Sequence, residues 1–394
     1  MNKDNIVLTF SDKLNINSDY SIIKVIRKEE MPYIVKNEIG GLKDWFKSRV
    51  IPSNRNHLEK LIESPNLERK PTALDYLKLN NGFSLNDSYW IRPVKDNEMY
   101  PEDLCWDKYN LYDNKFEEAL GLITFFGNNT SLGGTVNTPK VSSPELTTQG
   151  VMNKAWRRID DKILLYKRGN IGAANLDKEH FAEGISSEIG KLLKINCIPY
   201  WIDRWHNQNC SVCEIFTTKD KGYLPMRHFL ENIEPNRKKW GFESVVNWLP
   251  KEFRNGFLDM IVFDYIIENR DRHLGNFGFI IDNNTQEILS FAPLFDQGYS
   301  LMSNSLESDF NKDLSKYSEP HASFSLENAE LTKYVIQNNS SRYKGWTKEL
   351  RLKLDNINYF DCPKWYEKGI KKLILSRCKV IDSVTTMDKS CCNY

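Results

Sequence analysis

Asp271 and Asn276 stand five residues apart in IIENRDRHLGNFGFI, Ile266 to Ile280, where an apolar helix-like run ends in charged and amide side chains. That D-x-x-x-x-N spacing suits phosphoryl transfer. A carboxylate orients or deprotonates the attacking hydroxyl, and an amide oxygen one short loop away turns back to a magnesium ion. Twenty residues after Asn276, APLFDQG ends an apolar strand-like run with Asp296, a second oxygen ligand. Mg²⁺ takes few carboxylates and fills its shell with phosphate oxygens. Upstream, Lys167 closes the apolar run in KILLYKRG, placed to reach the α- and β-phosphates of ATP. Glu183 on the next helical segment would hold its ammonium, with Glu179 and Glu188 as rivals on the same helix. The loop SSPELTTQG, ending at Gly150, has the hydroxyls and glycine of a phosphate cover, although it is not a G-x-G-x-x-G.

Taken singly, each residue has a plainer account. Asp271 and Asp296 could cap turns, Lys167 could be an exposed lysine at a strand end, and His273 could be a satisfied core histidine. Their order along the chain, with strand, helix and loop in matching places, favours the chemical reading.

The elements that would position them follow from pattern. IVLTF and YSIIKVI read as strands, NRNHLEKLIES as a helix, and Asn128 to Gly150 as a loop rich in Gly, Ser, Thr, Asn and Pro. KAWRRIDDKILLYKRG reads as a hairpin turning at Asp160-Asp161. Phe181, Ile185, Ile189, Leu192 and Leu193 then recur at helical spacing, followed by strand-like CIPYWIDRW and CSVCEIF. FRNGFLDMIVFDYIIENR is a long apolar helix, FGFIID and EILSFAPLFD are strands around Asn283-Asn284, and the chain is mainly helical from about residue 325.

Composition narrows the class. The 394 residues suffice for two or three domains, and 40% hydrophobic with 12% aromatic content is that of a globular chain. A net charge of +1 gives no global footprint for nucleic acid or an anionic membrane. The N-terminus lacks a basic segment followed by an apolar core, and no apolar run would span a bilayer. The expectation is a soluble cytoplasmic protein, with leaderless secretion left open. Cys210 and Cys213 form one C-x-x-C, with no second pair to complete a zinc site.

ENRDRHLGNFGFI and SFAPLFDQG together resemble the catalytic segment of HipA-like serine/threonine kinases, the toxin-type bacterial kinases. SPELTTQGVMNKAWRR, KILLYKRG and GFSLNDSYWI are similar to further segments of that family. The resemblance covers residues 75–300 and is strongest over 265–298. It implies an α+β, bilobal protein-kinase-like fold: an N-terminal α/β accessory region (1–125), a strand-rich ATP lobe (126–216) and a helical catalytic lobe (217–394). It implies phosphorylation of protein serine or threonine with ATP and Mg²⁺. Asp271 matches the catalytic aspartate, Asn276 and Asp296 the Mg²⁺ ligands, Lys167 the ATP-binding lysine, and Glu183 its partner. CEIF matches the hinge, so backbone groups of Glu214 and Phe216 should meet the adenine. His273 matches a histidine that braces the catalytic loop.

A serine in the Gly150 loop limits such kinases, which implies autophosphorylation among Ser142, Ser143, Thr147 and Thr148. The implied partners are an unidentified protein substrate and an antitoxin or other regulator, with no membrane and no direct nucleic-acid contact expected. The loop around Gly150 and residues 300–394 depart from the family pattern. Two alternatives stay open. DRHLGN shares D-R-H-x-x-N with phosphatidylinositol kinases, which suggests a lipid or small-molecule kinase, although no basic amphipathic stretch accompanies it. The other is an inactive kinase-like module acting through a DNA-binding antitoxin.

Overall fold

The computed structural model describes residues 1–14, 19–36, 41–50, 73–94, 104–126, 143–148, 150, 152–170, 177–235, 239–338 and 340–387. In chain order these form β1 (Leu8–Leu14), β2 (Tyr20–Val25), α1 (Tyr33–Lys36), α2 (Gly41–Lys47), α3 (Ala73–Asn80), α4 (Trp106–Tyr109), α5 (Glu118–Phe126), β3 (Lys154–Ile159) and β4 (Lys162–Arg168). There follow α6 (Glu179–Leu192), β5 (Trp201–Trp205), β6 (Gln208–Glu214), β7 (Lys221–Pro225), α7 (Met226–Ile233), α8 (Phe242–Trp248) and α9 (Lys251–Ile267). The chain ends with β8 (Gly278–Asp282), β9 (Ile288–Phe291), α10 (Asn328–Asn338), α11 (Ser340–Lys353) and α12 (Lys364–Met387). The helix expected in NRNHLEKLIES lies outside the described residues.

The chain divides into two compact units, each drawn from three stretches of sequence. The first comprises residues 1–166, 214–237 and 279–290. Its β1 and β2 pair antiparallel, Leu8 opposite Val25 and Leu14 opposite Tyr20. Behind that ribbon, Tyr20, Trp45, Phe46, Leu74, Leu77 and Tyr89 share one core. A second core gathers Phe83, Trp90, Trp106, Leu111, Tyr112 and Ile163. β3 and β4 lie side by side, and Asp160 turns between them at φ +52, a left-handed value that Asp tolerates. β7, β8 and β9 make a three-stranded sheet in that order.

The second unit comprises residues 167–213, 238–278 and 291–394. α9 is its spine. Phe257, Met260, Ile261, Val262, Phe263, Ile266 and Ile267 are all fully buried, the mark of a helix enclosed on every side. α10 and α12 pack on it, and α11 packs on α12 and α6. α12 presents Tyr366, Ile370, Leu373, Ile374, Cys378 and Ile381 inward at helical spacing. Each of the Ile and Leu side chains among them contributes about 1.5–3 kcal/mol of burial. β5 and β6 pair antiparallel from Trp201 opposite Val212 to Trp205 opposite Gln208. Among the described residues no helix is long and apolar enough to cross a membrane.

Candidate active site

The loop after α9 is built by its own polar side chains. Glu268 caps the helix in the left-handed region, φ +51, a place usually taken by Gly. Its carboxylate holds it there, meeting Arg377 of α12 in an ion pair with both side chains at 0% exposure and accepting the Glu319 N–H at 3.2 Å. Asn269 donates from Nδ2 to Asp264 Oδ1 (3.0 Å) and accepts the Asp271 N–H on Oδ1 (3.0 Å). The His273 N–H then donates to the Asp271 carbonyl and the Asn276 N–H to the His273 carbonyl, each at 2.8 Å.

Asn276 Nδ2 donates to the Asp271 carbonyl at 2.9 Å, which closes the five-residue interval. That bond commits the amide nitrogen, and Oδ1 accepts no hydrogen bond among the described residues. His273 is exposed, and its Nδ1 accepts the Gly275 N–H at 3.0 Å.

Lys167, at the end of β4, is 4% exposed, with Nζ 2.6 Å from Glu183 Oε1 and 2.8 Å from Asp296 Oδ1. Burial alone would pull its pKa down, but the two carboxylates outweigh it and hold the ammonium well above its usual range. Glu183, 0% exposed on α6, also accepts a hydrogen bond from the Ser211 hydroxyl of β6. Glu179 is turned elsewhere and accepts from Asn170 Nδ2 at 2.8 Å. The Tyr200 ring lies 5.6 Å from Lys167 Nζ, and its hydroxyl accepts the Asp296 N–H at 3.3 Å.

Asp296 sits at φ +60, with its side chain 25% exposed. The strand expected to run on to Asp296 ends at Phe291. The segment leading to Asp296 is guided by Leu294, whose N–H donates to Asn196 O (2.8 Å) and whose carbonyl accepts from Ile198 (2.9 Å).

The remaining expected residues belong to the first unit. Glu214 Oε2 lies 3.4 Å from Lys162 Nζ, the Ile215 N–H donates to Ile163 O at 3.0 Å, and the Phe216 ring meets Tyr223 edge-on at 5.6 Å. Gly150 has φ +97, and a Cβ there would fall 2.5 Å from Lys154 Nζ. Ser143 is buried and donates to Glu145, and Thr147 donates to the Phe83 carbonyl at 3.0 Å. Thr148 donates to the Pro144 carbonyl at 2.6 Å. Ser142 lies outside the described residues.

Sequence reasoning missed Arg272, Asp264, Asn269, Ser211 and Tyr200. The one advance signal was Asp264, a lone acid inside the apolar run MIVFDYII.

No family model matches the chain. The serine/threonine-protein kinase CtkA of Helicobacter pylori strain J99 is 28% identical over a segment covering 31% of this chain and 40% of that protein. The chain therefore matches less than half the length of this curated relative. The crystal structure of the Helicobacter pylori proinflammatory kinase CtkA superposes with a TM-score of 0.51 at 18% identity, over 62% of this chain and 94% of that one. HipA from the Shewanella oneidensis MR-1 toxin–antitoxin system, solved with HipB and operator DNA, superposes with a TM-score of 0.59 at 13% identity, over 98% of both chains. The chain has the mixed α/β, kinase-type architecture of the HipA-like kinases, as its sequence resemblance implied.

Proposed function

We propose that this chain, sharing the HipA-like kinase fold, is a serine/threonine protein kinase that uses ATP and Mg²⁺. The observation that carries the reading is the buried Lys167 ammonium, held charged between Glu183 and Asp296 in one compact unit with the Asp271–Asn276 loop. A retained cation beside a half-open carboxylate fits a nucleotide phosphate and its metal. The uncommitted Asn276 oxygen fits a ligand to the same ion.

In this reading Lys167 binds the α- and β-phosphates, and Glu183 with Ser211 keeps its ammonium in place. Asn276 and Asp296 would hold Mg²⁺, which neutralises charge on the transferring phosphoryl group. Asp271 takes the acceptor hydroxyl's hydrogen bond and receives its proton as the new O–P bond forms and the bond from the γ-phosphorus to the β,γ-bridging oxygen breaks, with ADP as the leaving group. His273 steadies the loop through Gly275. Backbone groups at Glu214 and Phe216 would take the adenine, and the segment ending at Gly150 would cover the phosphates.

The partners follow as part of the same proposal: an unidentified protein substrate and a regulator of the HipB kind. Net charge argues against direct nucleic-acid contact, but the Shewanella HipA was solved with HipB and operator DNA, so a nucleic-acid complex stays within the proposal. Incubation with γ-labelled ATP and Mg²⁺ should label a protein acceptor or the chain itself, and Asp271→Asn should not. Labelling of phosphoinositide vesicles in place of protein would move the reading to a lipid kinase. No turnover with any acceptor would leave a binding module. Comparing phosphoproteomes of cells expressing wild type and Asp271→Asn would identify the substrate.

A further inference from the structure

Arg272 lies between Asp271 and His273, yet it faces inward and is 0% exposed. Its guanidinium is nearly fully engaged. Nε donates to Asp264 Oδ2 at 3.0 Å and Nη2 to Asp264 Oδ1 at 3.1 Å. Nη1 donates to two backbone carbonyls, Asn276 O at 2.9 Å and Phe295 O at 2.6 Å. The first belongs to a proposed metal-ligand residue and the second to the residue just before the other. The Ser323 hydroxyl donates to the Arg272 carbonyl at 2.7 Å, so the backbone is held as well.

We propose that Arg272, oriented by Asp264, is a positioning residue that sets the separation between Asn276 and Asp296 and thereby the affinity for the divalent cation. The inference rests on the kinase reading above. A planar fork of five donors can bind a carboxylate on one edge and gather two carbonyls on the other, and a lysine ammonium on its flexible stem cannot. A fully buried ion pair is also a poor device for stability alone, since desolvating both charges offsets their attraction. Here the pair links α9, whose Asp264 also receives Asn269 Nδ2, to the two chain segments that end in proposed metal ligands. Orienting groups behind metal ligands are worth about 10–100-fold in metal affinity.

The test compares wild type with Arg272→Lys and with the charge-neutral pair Asp264→Asn/Arg272→Gln. Three quantities are measured: Mn²⁺ affinity by electron paramagnetic resonance with a non-hydrolysable ATP analogue present, analogue affinity in EDTA, and melting temperature. Both variants should bind Mn²⁺ about tenfold or more weakly while keeping the EDTA affinity for the analogue within about twofold, because Lys167 is untouched. Folded variants with wild-type Mn²⁺ affinity would overturn the proposal, as would equal losses of metal and metal-free nucleotide binding. Failure of both variants to fold would also overturn it, by assigning Arg272 to core stability. A wild type that binds neither analogue nor Mn²⁺ would instead sink the kinase reading.

Discussion

Lys167 and Glu183 form a contact of 2.6 Å between two side chains that scarcely reach solvent, 4% and 0% exposed. Removing Lys167 leaves the buried Glu183 carboxylate without its cation, and removing Glu183 leaves the ammonium with Asp296 alone; breaking a buried pair typically costs about 3–5 kcal/mol. Glu183→Ala and Lys167→Ala should therefore both lower the melting temperature and abolish nucleotide-dependent activity. Lys167→Met combined with Glu183→Gln should recover much of the lost stability and none of the activity. Glu188→Ala should change neither. Calorimetry and ATP binding on the same samples check this, and a silent Glu183→Ala would break the pairing.

Asp271 and Asp296 act, in the proposed mechanism, on the acceptor hydroxyl and on the metal. Groups in such roles are worth about 10² to 10⁴ in rate. Asp271→Asn and Asp296→Asn should lose that much phosphorylation and keep the circular dichroism spectrum of the wild type. Near-wild-type turnover in either variant would remove that residue from the site.

The scaffold was legible where burial is periodic. The helix through Ile185 and Ile189, the apolar helix ending at Ile267 and the hairpin turning at Asp160-Asp161 stand as read, within a few residues at their ends. β7 was not read, since KGYLP is five residues interrupted by Gly and closed by Pro. β1 begins two residues later than IVLTF suggests and continues through polar Ser11 to Lys13. Three glutamates shared one helix, and only the folded chain shows which of them faces Lys167. Arg272 stands inside the D-R-H-x-x-N motif, but its positioning role was not legible. Its partners are a side chain on another element and two backbone carbonyls, and neither leaves a periodic trace in sequence.

His180 and His321 are buried imidazoles that the fold keeps neutral. Burial pulls His180 down to about 4, and burial with the nearby Arg272 charge pulls His321 down to about 3. Unfolded histidine titrates near 6.5, so below that pH the unfolded state binds more protons and stability falls as pH falls. Each imidazole should take away about 1.4 kcal/mol per pH unit from 6.5 down to its folded pKa. Melting temperatures between pH 7 and 4.5 should show this acid slope. His180→Leu, which removes two buried ring nitrogens without hydrogen-bond partners, should flatten it. An unchanged slope in that variant would mean that His180 is protonated in the fold.

Autophosphorylation within residues 142–148 is the prediction with a conformational consequence. Ser143 is 1% exposed, and its hydroxyl donates to Glu145, whose Oε1 accepts the Trp156 N–H at 2.7 Å. Thr147, 3% exposed, donates to the Phe83 carbonyl. Thr148 accepts from Trp156 Nε1 at 2.9 Å. A phosphate brings about −1.5 to −2 charge, and beside the Glu145 carboxylate in a dry site it would be both desolvated and repelled. Modification at Ser143 or Thr147 therefore requires the segment to leave its seat, carrying Gly150 away from any role over the nucleotide. After incubation with ATP and Mg²⁺, mass spectrometry should find phosphate in this segment. The modified fraction should be less active and be cleaved faster by protease between residues 143 and 150. If the active protein stays unmodified there, or the modified form keeps full activity, the hydroxyls serve only to fix the turn, and regulation must be sought elsewhere.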